Sequence, residues 1–425
     1  MSVEGRSAPL LPALRTWVRR RINAPKFRLE DACAPTTRQL LVDVSVIISG
    51  DAGTGIQRVV RSLVRNLKEL EGEEFTVQPI YATRDHRYCR ARIEPDGAIA
   101  KVMDQNGKRQ AVNVRAGDIY LGLDLAAHLI PHLERDLELW RKQGVRLAFL
   151  VYDLLPVLRP EWFPPKTPAN MDRWLGVLAR QADQCICISN TVAADLEAAL
   201  KQRKQGSLPS ISTIPLGWDL SASNPSRGLP ANIDAIRAWL ERHRPVLAVG
   251  TIEPRKGHDQ LLDAMSLLWE RSPENRTGLL VIGRRGWKTE ALQERLLNHP
   301  EHGKRLMWLD EASDELLTEI YQSAAGLVAA SHGEGFGLPL IEALANGIPV
   351  LARDIPVFRE IGGDRFEYFD AVAPEAMSGQ MAAWLDNGTH RPRPSADCLP
   401  RWTDSARALA AAVGLVQAAE DGARL

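Results

Sequence analysis

The sequence has few of the features that mark membrane-spanning, disulfide-stabilised or metal-binding chains. No apolar run reaches the roughly 18 residues needed to cross a bilayer, and no Asp-x-Asp triplet or histidine cluster offers a metal site. The five cysteines in 425 residues are a sparse, odd set without ligand spacing: Cys33, Cys89, Cys185, Cys187 and Cys398. These absences argue against a disulfide framework and structural zinc, and they make the cytoplasm the simplest compartment.

An excess of charge of either sign is also lacking. Lysine and arginine total 53, as do aspartate and glutamate, so the formal net charge is zero. A balanced chain lacks the positive field of a general nucleic-acid binder, so no nucleic-acid partner is expected. The 45% hydrophobic and 25% charged residues are typical of a soluble globular protein. At roughly 150 residues per domain, the length allows two or three domains.

Short apolar runs alternate with helical patterns in two blocks of the chain. Repeated strand–helix–strand units predict, in each block, a parallel sheet with helices on both faces. Ligands of such sheets lie at the carboxyl ends of strands, so a cleft between the two sheets is the expected site. The predicted divisions are 1–35 for a basic N-terminal segment, 36–220 for the first sheet domain, 221–244 for a linker, 245–397 for the second sheet domain and 398–425 for a C-terminal helix.

The N-terminal segment has a basic amphipathic pattern. Leu11, Leu14, Val18 and Ile22 recur at near-helical spacing among four arginines. Such a helix can lie on an anionic membrane surface, with its arginines on lipid phosphates. It can equally pack on the protein's own body or form a tail, so both interpretations stay open.

Residues 331–347 are the most informative segment of the sequence. A strand pattern ends there in a loop with alternate glycines, and a helix pattern begins near Pro339. Glycines let backbone amides approach a ligand closely, and a helix start adds unpaired donors, so the segment favours a bound phosphate. Glu334 and Glu342 could accept hydrogen bonds from the hydroxyls of a hexose and a ribose, respectively. Alternatively, Glu334 faces solvent and Glu342 only interacts with the helix dipole.

Two loops in the second block carry cations directly after strands. Arg255 and Lys256 follow one strand and could bracket a diphosphate. Loop 283–287 follows the next strand; its Arg284 could reach a nucleotide and its Trp287 could stack on one. Exposed basic residues in a turn and a tryptophan used for packing are the ordinary alternatives.

Together these motifs resemble the retaining glycosyltransferases of family four, over roughly residues 41–410. Glu334 and Glu342 match the E-x7-E signature of that family, and Arg255 with Lys256 match its cation pair on the donor diphosphate. The resemblance implies the GT-B fold, an α/β architecture of two Rossmann-like parallel-sheet domains that face a central cleft. It also implies that the first domain takes the acceptor, the second takes a nucleotide-sugar donor, and the last helix returns to the first domain.

The first domain contributes to the same resemblance. The loop and helix start at 50–58 resemble the glycine-rich first loop of the fold, and residues 54–58 have the form found in bacterial mannosyl- and rhamnosyltransferases of surface polysaccharides. Tyr152 stands where many relatives have histidine, and Asp153 is then the remaining polar candidate, with capping of its own loop as the alternative. Tyr152 and Asp124 are predicted on the acceptor side of the cleft.

The resemblance therefore implies a set of site residues. The predicted catalytic residues are Arg255, Lys256, Glu334 and Asp153. The predicted donor-binding residues are Gly53, Thr54, Gly55, Arg255, Lys256, Gly283, Arg284, Glu334, Gly335, Phe336, Gly337, Leu338 and Glu342.

The expected activity is retaining transfer of a hexose from a nucleotide-diphosphate sugar to a glycan or lipid-linked glycan in bacterial polysaccharide synthesis, such as O-antigen, lipopolysaccharide or exopolysaccharide. The resemblance favours GDP-mannose, or its deoxy relative GDP-rhamnose, as donor. Neither a cofactor nor a metal is expected, because the two cations can stabilise the leaving diphosphate. The expected location is cytoplasmic, with peripheral contact at the inner membrane as an option. A nucleotide-sugar epimerase, a phosphorylase and a non-catalytic subunit of the same fold are the alternatives.

Overall fold

The structure, a computed structural model, describes residues 37–51, 53–203, 207–220, 228–387 and 399–417. The amphipathic segment 1–35 lies outside the described residues, as does the hypothesis that it contacts a membrane. Within the described ranges, no helix is both long and apolar enough to span a bilayer.

The first domain is built on an eight-stranded sheet with the order β4-β3-β2-β1-β5-β6-β7-β8. Its strands are Arg38–Asp43 (β1), Phe75–Tyr81 (β2), Cys89–Ile93 (β3), Ile99–Lys101 (β4), Ile119–Gly122 (β5), Arg146–Val151 (β6), Gln184–Cys187 (β7) and Ser210–Thr213 (β8). All neighbouring strands pair in parallel except at the edge, where β3 runs antiparallel to both β2 and β4. The helices of this domain are Gly55–Glu69 (α1), Ile130–Lys142 (α2), Leu155–Leu158 (α3), Lys166–Gln181 (α4) and Asn190–Lys201 (α5).

The second domain has a six-stranded, fully parallel sheet with the order β11-β10-β9-β12-β13-β14. Its strands are Val246–Val249 (β9), Leu279–Ile282 (β10), Leu306–Leu309 (β11), Gly326–Ala329 (β12), Val350–Arg353 (β13) and Glu367–Phe369 (β14). The remaining helices are Ile233–His243 (α6), His258–Arg271 (α7), Glu290–Asn298 (α8), Asp314–Ser323 (α9), Leu338–Ala345 (α10), Pro356–Gly362 (α11), Pro374–Asn387 (α12) and Trp402–Ala412 (α13). Helix α6 lies within residues 221–244, which the sequence analysis assigned to a linker.

Helix α1 shows how local sequence positions the first loop of the cleft. Thr54 caps the helix, because its hydroxyl accepts a hydrogen bond from the Gln57 amide at 3.3 Å while the Gln57 side chain accepts one from the Thr54 amide at 3.2 Å. Apolar residues at helical spacing, among them Val60 and Leu67, are fully buried beneath the helix. The start of α1 is thereby fixed beside the end of β1.

The last helix, α13, packs on the first domain. It contacts α1, and the backbone amide of Trp402 donates to a carboxylate oxygen of Asp219 at 3.0 Å. The amide side chain of Gln184 donates to the carbonyl of Ala412 at 3.0 Å. A side chain on Gly217 would place its Cβ 2.3 Å from the Trp402 nitrogen, so this approach requires glycine. Helix α13 therefore lies with the first domain, although it follows the second domain in the chain.

We predict that Trp402→Ala destabilises the first domain. The Trp402 side chain is 1% exposed, and emptying such a site costs about 3–5 kcal/mol. Urea denaturation of the full chain should show an earlier unfolding transition for this domain. Arg407→Ala, at an exposed position of the same helix, is the control and should leave the transition in place. Equal midpoints for the two variants would contradict the packing role of α13.

Candidate active site

A cavity of about 940 Å³ lies between the two domains and is lined by loops from both. The loops from the second sheet follow β9, β10, β11 and β12, and those from the first sheet follow β1, β5 and β6, with single residues after β7 and β8. All of them leave the carboxyl ends of parallel strands, where ligands of such sheets bind. The volume is within the range of small-molecule sites, roughly 300–1,000 Å³.

Glu334 is held between the two predicted cations. The Lys256 ammonium lies 2.6 Å from one carboxylate oxygen, and the Arg255 guanidinium donates to the other. Arg255 also pairs with Glu253 at 2.7 Å. Burial by itself would raise the pKa of Glu334, but the adjacent Arg255 and Lys256 outweigh it and lower that pKa to about 2. Glu334 is therefore a largely buried carboxylate, 10% exposed, that is ionised at neutral pH.

The turn that carries Arg255 and Lys256 depends on Gly257. This residue has a φ of +66° and precedes helix α7. A Cβ there would lie 2.4 Å from the carbonyl oxygen of Ala330 at the end of β12. The His332 amide also donates to the Arg255 carbonyl at 2.7 Å. Backbone contacts thus place the two cations against the loop of Glu334.

The glycine-rich loop contacts the opposite domain. A Cβ at Gly335 would lie 1.9 Å from the carbonyl oxygen of Tyr152, and the Ser189 hydroxyl donates to the Gly335 carbonyl at 2.8 Å. The motif predicts that the glycines of this loop let a ligand approach the backbone. In the structure, it is the Tyr152 carbonyl of the first domain that comes close to Gly335. Gly335, Phe336, Gly337 and Leu338 all line the cavity, as do Gly53, Thr54 and Gly55 across from them.

Glu342 is buried in an interdomain cluster that the sequence analysis did not foresee. Its side chain is 1% exposed; one carboxylate oxygen lies 2.5 Å from Arg58 and the other accepts from the Tyr321 hydroxyl at 2.8 Å. The second terminal nitrogen of Arg58 lies 2.7 Å from Asp314. Burial raises the pKa of Glu342, an effect that Arg58 opposes. Arg58 was visible in the first-loop motif, but nothing local in the sequence indicated its partners.

Asp153 and Tyr152 line the cavity with different side-chain roles. The Asp153 carboxylate accepts from the Leu155 amide at 3.1 Å, which is the loop-capping contact. Burial raises the pKa of Asp153, while nearby Arg255 acts in the opposite direction. The Tyr152 hydroxyl donates to the Leu123 carbonyl at 2.8 Å, and the residue is 3% exposed. Its phenol is thus engaged within the first domain.

Asp124 does not point into the cavity as predicted. Its carboxylate accepts from the amides of Val46 and Ile47 at 2.8 and 2.7 Å, so it fixes the turn after β1. The residue is 5% exposed, and burial raises its pKa to about 7. Among the described residues the cavity wall includes its neighbour Leu125 instead. Position after a strand did not reveal which way the side chain points.

The loop after β10 contributes Gly283, Arg284 and Trp287 to the cavity wall. Arg284 pairs with the exposed Glu311 at 2.9 Å. The Trp287 indole donates to the carbonyl of Trp162 in the first domain at 2.8 Å. Trp287 therefore contacts the first domain in this structure, which corresponds to the alternative of packing and not to stacking on a nucleotide.

Some cavity residues carried no sequence signal. His128, Phe163, Thr167 and Asn170 line the wall formed by the first domain. They lie outside any recognisable motif and come together only through the fold. No group of three or more His, Cys, Asp or Glu side chains within the described ranges is arranged to hold a metal ion.

Part of the chain, mostly the second domain, matches a known protein family. Residues 232–396 match the family of glycosyl transferases group 1. The serotype-specific mannosyltransferase WbdA of Escherichia coli is 39% identical over 82% of this chain and 43% of its own length. This chain therefore spans less than half the length of that relative.

Solved structures confirm the GT-B fold. Anabaena Alr3699/HepE in complex with UDP and glucose superposes with a TM-score of 0.54 at 14% identity, over 89% of this chain and 97% of the other. Sucrose-phosphate synthase from Thermosynechococcus elongatus gives a TM-score of 0.54 at 18% identity, over 87% of this chain and 92% of the other. The prediction of two Rossmann-like sheets around a cleft is confirmed.

We predict that the contribution of Glu334 to stability is lost in acid. Because its pKa in the folded chain is lowered from 4.5 to about 2, its ionised form stabilises the fold fully above the ordinary value. That contribution, on the order of 3 kcal/mol, declines as the pH falls through that interval. The difference in unfolding free energy between the native chain and Glu334→Gln should therefore be largest near neutral pH and shrink toward about pH 3.

Urea titrations at several pH values would measure this difference. Glu294→Gln, at an exposed position of α8, is the matched control and should differ little from the native chain at every pH. A constant gap between the native chain and Glu334→Gln would show that Glu334 is not held by its cations.

Proposed function

We infer that the protein is a hexosyltransferase that moves a sugar from a nucleotide-diphosphate donor to a glycan acceptor. Its residues 232–396 match the glycosyl transferases group 1 family, and the chain has the GT-B fold. The observation that carries this proposal is the buried Glu334 with Arg255 and Lys256 on its two oxygens. At this wall of the cavity, the carboxylate can accept hydrogen bonds from sugar hydroxyls while the two cations bind a diphosphate.

The mechanism follows from these groups. Arg255, Lys256 and the backbone amides of Gly335–Gly337 bind the diphosphate, and Glu334 accepts hydrogen bonds from hydroxyls of the transferred sugar. The bond from the anomeric carbon to the diphosphate oxygen breaks, and a bond to the acceptor oxygen forms on the same face of the sugar. The acceptor proton passes to the departing diphosphate oxygen. The two cations stabilise the negative charge that develops on the leaving group.

The donor and acceptor are proposed more narrowly from the relatives. GDP-mannose is the proposed donor, with GDP-rhamnose second, because the E. coli relative is a mannosyltransferase and Thr54–Arg58 resembles such enzymes. The proposed acceptor is a glycan or lipid-linked glycan of bacterial O-antigen synthesis. We place the reaction at the cytoplasmic face of the inner membrane, where the basic segment 1–35 would provide peripheral contact. An epimerase, a phosphorylase or an inactive subunit is less consistent with the mannosyltransferase relative.

We predict that GDP-mannose stabilises the chain more than UDP-glucose or dTDP-rhamnose does. A ligand at 100 times its dissociation constant should add about 2.7 kcal/mol to the free energy of unfolding. Thermal-shift assays with a panel of GDP-, UDP- and dTDP-sugars would measure the effect. Stabilisation by none of these sugars would contradict the proposed function, and preference for another base would correct the donor.

We predict that Lys256→Ala reduces turnover without unfolding the chain. Removing one donor that stabilises a developing charge typically raises the barrier by about 2.7–4 kcal/mol, equivalent to a loss of roughly 100- to 1,000-fold. Turnover would be measured with the donor identified in the panel and a mannose glycoside as acceptor. The amount of nucleoside diphosphate released reports the transfer. Lys304→Ala, at an exposed position, is the control. Turnover within threefold of the native chain would remove Lys256 from the proposed mechanism.

A further inference from the structure

One contact at the cavity wall joins the two domains through the cluster of Arg58, Glu342, Asp314 and Tyr321, here called the Arg58 bridge. Arg58 belongs to α1 of the first domain, whereas the other three residues belong to α9 and α10 of the second. One nitrogen of its guanidinium is 2.5 Å from Glu342 and the other is 2.7 Å from Asp314. The planar guanidinium thus joins the two domains through two separate carboxylates.

The Glu342 carboxylate is almost inaccessible from the cavity in this arrangement. Each carboxylate oxygen already accepts a hydrogen bond, one from Arg58 and one from Tyr321. The side chain is 1% exposed, although Glu342 and Arg58 both border the cavity. A hydroxyl group that approaches from the cavity reaches Glu342 only if one of these partners moves.

Arg58 is the partner that is able to move. The Tyr321 hydroxyl belongs to the same domain as Glu342, its ring is fully buried, and nothing brings it away from α10 when the domains separate. Arg58 comes from the opposite domain and is 18% exposed. Its second salt bridge, to Asp314, is an anchor that can persist when the contact with Glu342 is broken.

Resting on the proposed function, and on the sequence-based prediction that Glu342 receives the ribose of the donor, we propose that Arg58 and the ribose hydroxyls compete for Glu342. The ribose hydroxyls replace Arg58 at Glu342, while the salt bridge to Asp314 keeps Arg58 at the cavity wall. Arg58 is then a positioning residue for donor binding, because it acts through Glu342. Nucleotide binding and the contact between the domains are thereby coupled through one carboxylate.

The competition predicts an effect that depends on ribose hydroxyls. Without Arg58, GDP should bind more tightly by roughly fivefold or more, the lower end of typical coupling between sites. The analogue 2′,3′-dideoxy-GDP has no hydroxyls to place on Glu342, so its affinity should hardly change. A purely structural role of Arg58 would alter the affinities for both nucleotides alike.

Calorimetric titration of the full chain with GDP and 2′,3′-dideoxy-GDP would test this, comparing Arg58→Met with the native chain. Arg58→Lys keeps the charge but cannot contact both carboxylates in the same way. Its affinity for GDP should change in the same direction by a smaller factor. This variant replaces Arg58→Met in the test if Arg58→Met folds poorly. Glu342→Gln should reduce the preference for GDP over the analogue. Arg65→Met is the matched control on the same helix, because Arg65 is 43% exposed and pairs with Glu69.

The outcomes separate this inference from the proposed function. Tighter binding of GDP alone supports the competition. Weaker binding of GDP in Arg58→Met, or equal changes for both nucleotides, overturns it while the proposed function stands. UDP and its dideoxy analogue would be titrated in parallel. If the native chain binds neither GDP nor UDP, the result counts against the proposed function itself.

Discussion

The site depends on one electrostatic constraint, the burial of Glu334 between Arg255 and Lys256. A carboxylate removed from water is strongly disfavoured unless opposite charges compensate it. Here two cations from a single turn provide that compensation, and they hold the pKa of Glu334 at about 2. The same pairing keeps the cations in place at the cavity wall. Charge that is arranged before a ligand arrives needs little reorganisation during reaction.

Much of this arrangement could be predicted from the sequence because each of its parts follows from a local pattern. Arg255 and Lys256 directly follow one strand and Glu334 lies in a glycine-rich loop after another, and the carboxyl ends of parallel strands meet at one sheet edge. The parallel strands were equally visible, since strands covered on both faces are continuous apolar runs. The exposed edge hairpin of β3 and β4 was missed because Arg90 and Arg92 interrupt its apolar pattern.

The rest of the site was not predictable from local patterns. The contact between Arg58 and Glu342 joins residues 284 positions apart, and it depends on how the two domains face each other. Asp124 occupied the expected place after a strand, but two backbone amides draw its carboxylate into a turn. Glu360 likewise crosses between the domains, accepting from the amides of Asn190 and Thr191 at the start of α5 at 2.6 and 2.8 Å. Such contacts follow from tertiary geometry, on which a single sequence pattern carries no information.

The backbone approach at Gly335 constrains how this loop can change. Because any larger residue would collide with the carbonyl of Tyr152 in the other domain, selection acts on position 335 even when the donor has no influence there. A library that randomises this loop to alter sugar preference would recover glycine at 335 for reasons of domain docking. Invariance at that position among functional variants would therefore carry no information about the sugar.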